Sequence, residues 1–253
     1  MDLGLQGRRA LVSGGTRGIG RAIVETLAAE GAVVGFCART ESDVRDTTVT
    51  LSQSGSTVLG QAVDVADARA VQRWVADSAD RFGGVDIVIA NVSALAIPDE
   101  PANWQASFEV DLMHAVRLVG AAMPHLEKSD APSIVTIASV SGREIDFAAG
   151  PYGTFKAALI HYTQGLAYQV APKGIRANSI SPGNTYFPGG VWENIEANNP
   201  ELFAMAMGLN PTGRMARPEE IARAVAFMSS PAASFISGTN LVVDGALTRG
   251  VQF

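Results

Sequence analysis

The chain has 253 residues, and its 19 Lys and Arg against 25 Asp and Glu give a formal net charge of −6. That balance provides no basic footprint for a nucleic acid, and 47% hydrophobic residues exclude a disordered chain. A single cysteine, Cys37, excludes a disulfide scaffold, and no apolar stretch reaches the roughly 18 to 20 residues that a membrane-spanning helix needs.

Met1 to Arg9 places no long apolar run behind a basic segment, so a soluble cytoplasmic chain is expected. From there, short β-rich runs alternate with longer segments of helical period. This pattern predicts parallel strands joined by crossover helices. Strands are expected near Ala10 to Ser13, Ala32 to Cys37, Thr57 to Val63, Asp86 to Ala90, Ser133 to Ala138, Arg176 to Ile180 and Leu241 to Val243. The better-marked helix starts are Gly18, Asp67, Pro101 and Pro218, the last followed by Glu219 and Glu220. No composition shift, repeat or low-complexity linker divides residues 1–253, so one doubly wound α/β domain is expected. The stretch 186–211 differs: it is rich in Gly, Pro and Asn yet carries Phe187, Trp192, Phe203 and Met207. It reads as one or two short helices forming a lid over a pocket, or otherwise as a surface excursion.

After the first strand comes Val12-Ser13-Gly14-Gly15-Thr16-Arg17-Gly18-Ile19-Gly20, which opens a helix. Gly14 permits a tight turn, and Gly18 and Gly20 let backbone amides approach a pyrophosphate. The spacing is GxxxGxG rather than GxGxxG, and glycines at such a turn also serve packing alone. At the end of the second strand, an NAD site normally places an acid for the ribose 2′-hydroxyl. Here Cys37-Ala38-Arg39-Thr40 offers Arg39, and Arg17 is within reach of the same corner. Arginines pair well with a 2′-phosphate, so the residues favour NADP(H), the alternative being two solvated side chains.

Tyr152-Gly153-Thr154-Phe155-Lys156 begins a helix, and residues four apart share a face. A phenol with a pKa near 10 is a poor acid or base at neutral pH, but a neighbouring cation favours the phenolate. Ser139, at the end of the fifth strand, could hydrogen-bond a carbonyl oxygen. Taken alone, the Tyr–Lys pair would also suit an amphipathic helix surface.

With these pieces in order, the chain resembles the short-chain dehydrogenase/reductase family over essentially its whole length. The matching residues are Gly14 to Gly20, Asp64-Val65, Asn91, Ser139, Tyr152 with Lys156, Asn178 to Gly183, Gly213 to Glu220 and Val243-Asp244-Gly245. The resemblance implies a seven-stranded parallel sheet, a nicotinamide cofactor, and a homotetramer or homodimer. It implies Tyr152 as general acid in reduction, Ser139 as carbonyl orienter and Lys156 as holder of the nicotinamide ribose. For the cofactor it implies Gly14, Thr16, Arg17, Gly18, Ile19 and Gly20 at the turn. Arg39, Asp64 and Val65 would lie on the adenosine side, and Asn91, Pro182, Gly183 and Thr185 near the nicotinamide half.

Two departures matter. The usual Asn-Asn-Ala-Gly reads Ala90-Asn91-Val92-Ser93, and Asp111 stands where the family commonly has an asparagine as its fourth catalytic member. Asp111 could act through its backbone carbonyl, could be ionised beside Lys156 and offset its effect on Tyr152, or could simply face solvent from a helix. No metal is expected, since His114, His125 and His161 show no ligand-like grouping and read as surface or packing residues.

Arg143, Glu144, Ile145, Asp146 and Phe147 should border the substrate pocket. With the aromatic residues of the lid, they favour an apolar or amphipathic ketone, including a 3-oxoacyl thioester. The expected activity is NADPH-dependent carbonyl reduction. The alternatives are oxidation of a secondary alcohol, or a cofactor-binding regulatory protein without turnover. Only 17% of the residues are charged, against roughly 25% in an average soluble protein, which fits subunit interfaces. The resemblance implies that these lie on Leu112 to Met123, Leu159 to Val170 and Asp244 to Phe253.

Overall fold

The computed structural model describes residues 2–251; Met1, Gln252 and Phe253 lie outside the described residues, the last two at the end of the expected C-terminal interface. Seven strands, β1 (Arg9–Ser13), β2 (Val33–Ala38), β3 (Val58–Ala62), β4 (Ile87–Ala90), β5 (Ser133–Ile137), β6 (Arg176–Pro182) and β7 (Asn240–Val243), form one parallel sheet ordered β3-β2-β1-β4-β5-β6-β7. The direction of winding reverses between β1 and β4, and the carboxyl ends of these two strands open a crevice where such sheets bind ligands. The central strands are buried on both faces, which explains their continuous runs of Val, Ile and Ala.

Of the nine α-helices among the described residues, six cover the sheet. On one face lie α1 (Gly18–Ala29), α2 (Glu41–Gln53) and α9 (Pro218–Ser229), which contribute Ile23, Leu27, Val44, Leu51, Ile221 and Val225 to one core. The opposite core is built by α3 (Ala68–Phe82), α5 (His114–Leu126) and α6 (Pro151–Val170), around the fully buried Trp74. Asp67 caps α3, accepting from the amides of Arg69 and Ala70 at 2.8 and 3.1 Å, and these bonds hold its carboxyl below the usual range. α4 (Pro101–Ser107) runs into α5 through a π-helical turn, Phe108–Met113. The stretch read as a lid contains two short helices, α7 (Val191–Asn198) and α8 (Pro200–Leu209), packed around Trp192, Ala206 and Met215.

No described helix is long and apolar enough to cross a membrane. Strand ends differ from expectation by a residue or two. The largest extension is β6, which runs to Pro182 because Ser181 and Pro182 still pair with Val242 and Val243.

Candidate active site

The glycine turn is fixed from both flanks. The amides of Gly14 and Gly15 donate to the Cys37 carbonyl at 2.8 and 3.0 Å, which ties the turn to the end of β2. On the β4 side, the Asn91 side-chain amide donates to the carbonyls of Ser13 and Gly14 at 3.0 and 3.3 Å. Gly14 and Gly18 both take positive φ, +73° and +54°, and a Cβ on Gly20 would fall on the Gly14 carbonyl oxygen. The spacing therefore reflects geometry that side chains could not share. The result is a tight cradle at the N-terminus of α1, which suits an anionic diphosphate.

Arg17 and Arg39 are exposed, and neither forms an ion pair or side-chain hydrogen bond among the described residues. Both adjoin the corner where the glycine turn meets β2. Thr16 and Ile19 are partly buried in the turn and the first helical turn. Asp64 is exposed and accepts from the Ala66 amide at 3.0 Å, while Val65 is buried in the core. Beyond β6, the Thr185 hydroxyl donates to the Gly183 carbonyl at 3.0 Å, and the Pro182–Gly183 bend packs directly on Asp244.

Ser139 follows β5, and its hydroxyl accepts from the Ser141 amide at 3.2 Å. The short turn Val140–Gly142 then presses onto α6: a Cβ on Gly142 would stand 2.7 Å from the backbone of Lys156 and Ala157. Gly153 makes the reciprocal approach, with its Cβ position 2.7 Å from the Ala148 carbonyl and 2.8 Å from that of Ser141. These two glycines close the Ser139 loop onto the helix carrying Tyr152 and Lys156. Sequence reasoning missed them, although Gly153 inside the Tyr-to-Lys turn was the available signal.

Tyr152 is half-buried, whereas Lys156 is only 1% exposed. The Lys156 ammonium lies 5.6 Å from the centre of the Tyr152 ring and donates to the Ile137 carbonyl at 2.9 Å. It also pairs with Asp111 Oδ1 at 3.3 Å. Asp111 is fully buried in the π-helical turn, which rules out the solvent-facing alternative, and its Oδ2 accepts from the Ala94 amide at 3.4 Å. An unpaired buried charge is costly, so each member of this pair makes the other tolerable.

The histidine nearest this pair is not a simple packing residue. His114 is fully buried; its Nε2 lies 2.8 Å from Ser13 Oγ and its Nδ1 2.9 Å from the Val110 carbonyl. Burial, reinforced by the Lys156 charge, lowers its pKa to about 4. Nothing in the local sequence separates this role from packing, because Ser13 lies 101 residues away. No described group of three or more His, Cys, Asp or Glu could hold a metal.

The substrate side is bounded by the loop after Ser139 and by the two lid helices, which meet edge-to-face at Phe147 and Trp192 with centroids 5.8 Å apart. Arg143 donates to Asn240 at 2.8 Å, and Glu144 accepts from the Gly250 amide at 2.9 Å, so the loop is tied to β7 and to the C-terminal segment. Phe187 turns inward, with its ring against Gly18.

A nucleotide cradle at the winding reversal, beside a buried lysine one helical turn from a tyrosine, defines a nicotinamide-dependent oxidoreductase of the doubly wound class. The model of a family described as enoyl-(acyl carrier protein) reductase matches residues 14–248, and the chain belongs to the short-chain dehydrogenase/reductase family. It is 42% identical to isoepoxydon dehydrogenase of Penicillium expansum, over 100% of this chain and 99% of that protein. It is 32% identical to a 3-oxoacyl-[acyl-carrier-protein] reductase of Vibrio cholerae, over 97% and 99% of the two chains. A double mutant of a Serratia marcescens short-chain dehydrogenase/reductase superposes with a TM-score of 0.88 at 31% identity, over 96% and 98%. The chain is thus an oxidoreductase acting on alcohol or ketone groups, and its family uses nicotinamide cofactors.

Proposed function

We propose that this chain uses NADP(H) to interconvert a secondary alcohol and a ketone. The observation that carries this reading is the buried Lys156 ammonium, held by Ile137 and Asp111 and set 5.6 Å from the Tyr152 ring. The nicotinamide, when bound, supplies the hydride for reduction or accepts it in oxidation. Tyr152 donates its hydroxyl proton to the carbonyl oxygen in reduction and takes it back in oxidation. Ser139 donates a hydrogen bond to the same oxygen and orients it. Asp111 contributes as the counter-charge of Lys156, a positioning role rather than contact with substrate. Arg17 and Arg39, both free of partners among the described residues, are assigned to the 2′-phosphate.

The lid bears on the substrate. From Ala177 to Gly213 the chain has no Lys, Arg or His but three glutamates, Glu193, Glu196 and Glu201. Thioesters on carrier proteins or coenzyme A bring phosphate groups, which an anionic lid repels. A compact uncharged ketone or secondary alcohol is therefore the preferred substrate, ahead of the 3-oxoacyl thioester. The similarity to an isoepoxydon dehydrogenase supports a second reading, in which the same site runs oxidatively. We also assign self-association to the apolar side chains left exposed on the monomer, such as Trp104 and Phe108 beside Phe155.

The test is cofactor turnover with NADPH, NADH and their oxidised forms across uncharged cyclic ketones, the matching alcohols and 3-oxoacyl thioesters, with Tyr152→Phe alongside. We expect NADP(H)-linked turnover of uncharged substrates, reduced by about 10²- to 10⁴-fold in Tyr152→Phe. Preference for NAD(H) would overturn the assignment of Arg39. Tight cofactor binding without turnover, unchanged by Tyr152→Phe, would instead indicate a regulatory protein.

A further inference from the structure

We infer that His114 is a positioning residue for the cofactor cradle, joining the end of β1 to the π-helical turn that carries Asp111. The inference rests on the proposed nucleotide site but not on the identity of the substrate. A carbonyl can only accept, so Nδ1 carries the proton toward Val110 and Nε2 is left as an acceptor. The Ser13 hydroxyl then donates to Nε2 at 2.8 Å, while its oxygen accepts the Asn91 amide at 3.0 Å. One neutral imidazole thereby closes a chain from Val110 through Ser13 to Asn91.

The place of this chain gives it a function beyond filling the core. Ser13 is the residue immediately before the glycine turn, and Asn91 follows β4, so the two strand ends that open the crevice are bonded at the Ser13 hydroxyl, which His114 orients by accepting its proton. Asn91 also holds the carbonyls of Ser13 and Gly14 through its side chain. On the other side, Val110 directly precedes Asp111, the partner of Lys156. The nucleotide cradle and the lysine behind Tyr152 thus share one buried strut. Its loss should loosen the cradle while Tyr152 and Ser139 remain in place.

The experiment measures NADPH binding to the apo protein by fluorescence, without substrate, with melting temperature by circular dichroism as a check of folding. His114→Ala, which removes the bonds to both Ser13 and Val110, should raise the dissociation constant about tenfold. His114→Gln, whose amide oxygen can accept from Ser13, should recover most of that loss; His114→Leu, which fills the space without accepting, should not. If His114→Ala fails to fold, Ser13→Ala removes the same bond together with the acceptor of the Asn91 amide and should weaken binding by at least that factor. A folded His114→Ala or Ser13→Ala protein with parental affinity overturns the inference, as does equal recovery by His114→Leu and His114→Gln. Failure to bind any nicotinamide nucleotide in the parent protein would instead count against the proposed function.

Discussion

The two walls of the crevice are built in different ways. On the cofactor wall, Ser13, Gly14, Asn91 and His114 hold one another in bonds of 2.8 to 3.3 Å, and an added methyl at Gly20 has no room. On the substrate wall, Ile145 is 90% exposed and Phe147 51%, and the lid helices leave Met205 and Leu209 largely in solvent. The first wall is held by the chain's own bonds. The second is anchored at its ends, through Arg143 to Asn240 and Glu144 to Gly250, but presents exposed apolar surface between them, the condition of an element that can adjust to what it covers. A common reaction can therefore be fixed on one side while substrate choice is left to the other.

The largest effect that would sharpen this contrast is expected at the buried ion pair. Lys156→Met should destabilise the protein by about 3–5 kcal/mol, because it strands Asp111 as an uncompensated charge. Adding Asp111→Asn should restore much of that stability in denaturant titrations without restoring turnover. An undiminished stability in Lys156→Met would show that the wall is not held by this pair.

The next effect concerns pH. The folded pKa of His114, about 4, lies below its ordinary 6.5, so between these values the unfolded chain binds the proton first. Stability is thus full above about pH 6.5 and should fall by as much as ~3 kcal/mol as the pH drops toward 4. The charges acting on the imidazole are Asp111, which favours its protonation, and Lys156 and Arg117, which oppose it. His114→Gln should flatten the pH dependence of urea unfolding in that window; an unaltered slope would place the titration elsewhere. The smallest effect belongs to the substrate wall. Phe147→Ala should cost about 0.5–1.5 kcal/mol of contact with Trp192, seen as a higher KM for substrate with little change in Tm or in cofactor affinity. A larger fall in Tm would mean that this wall is as rigid as the other.

The same contrast decides what could be read from the chain alone. The strands were legible because burial on both faces demands unbroken runs such as Ile87 to Ala90, and the glycine turn because its backbone leaves only glycine possible. The helix Glu41–Gln53 carried little signal, since it buries only Val44, Thr47 and Leu51 among otherwise polar residues. The burial of Asp111 was open because it depends on Lys156, far along the sequence, approaching the π-helical turn. His114 was read as a packing residue because its partner in β1 is invisible from either local stretch. The tie between Glu144 and the Gly250 amide was equally hidden, since nothing near either residue announces it.

The π-helical turn at Phe108–Met113 has one more consequence, for how this segment tolerates changes in length. Such a turn accommodates about one residue more than a regular helix spanning the same distance. Deleting a single residue within it would let the segment relax to an uninterrupted α-helix with the flanking helices still in phase, so the change would be confined to the turn itself. Trp104, upstream of the turn, would stay against Phe155, while Asp111, inside it, would be re-aimed away from Lys156. The extra residue therefore sets where Asp111 faces Lys156, and a gap placed at this turn in an alignment keeps the side chains on both sides of it in register.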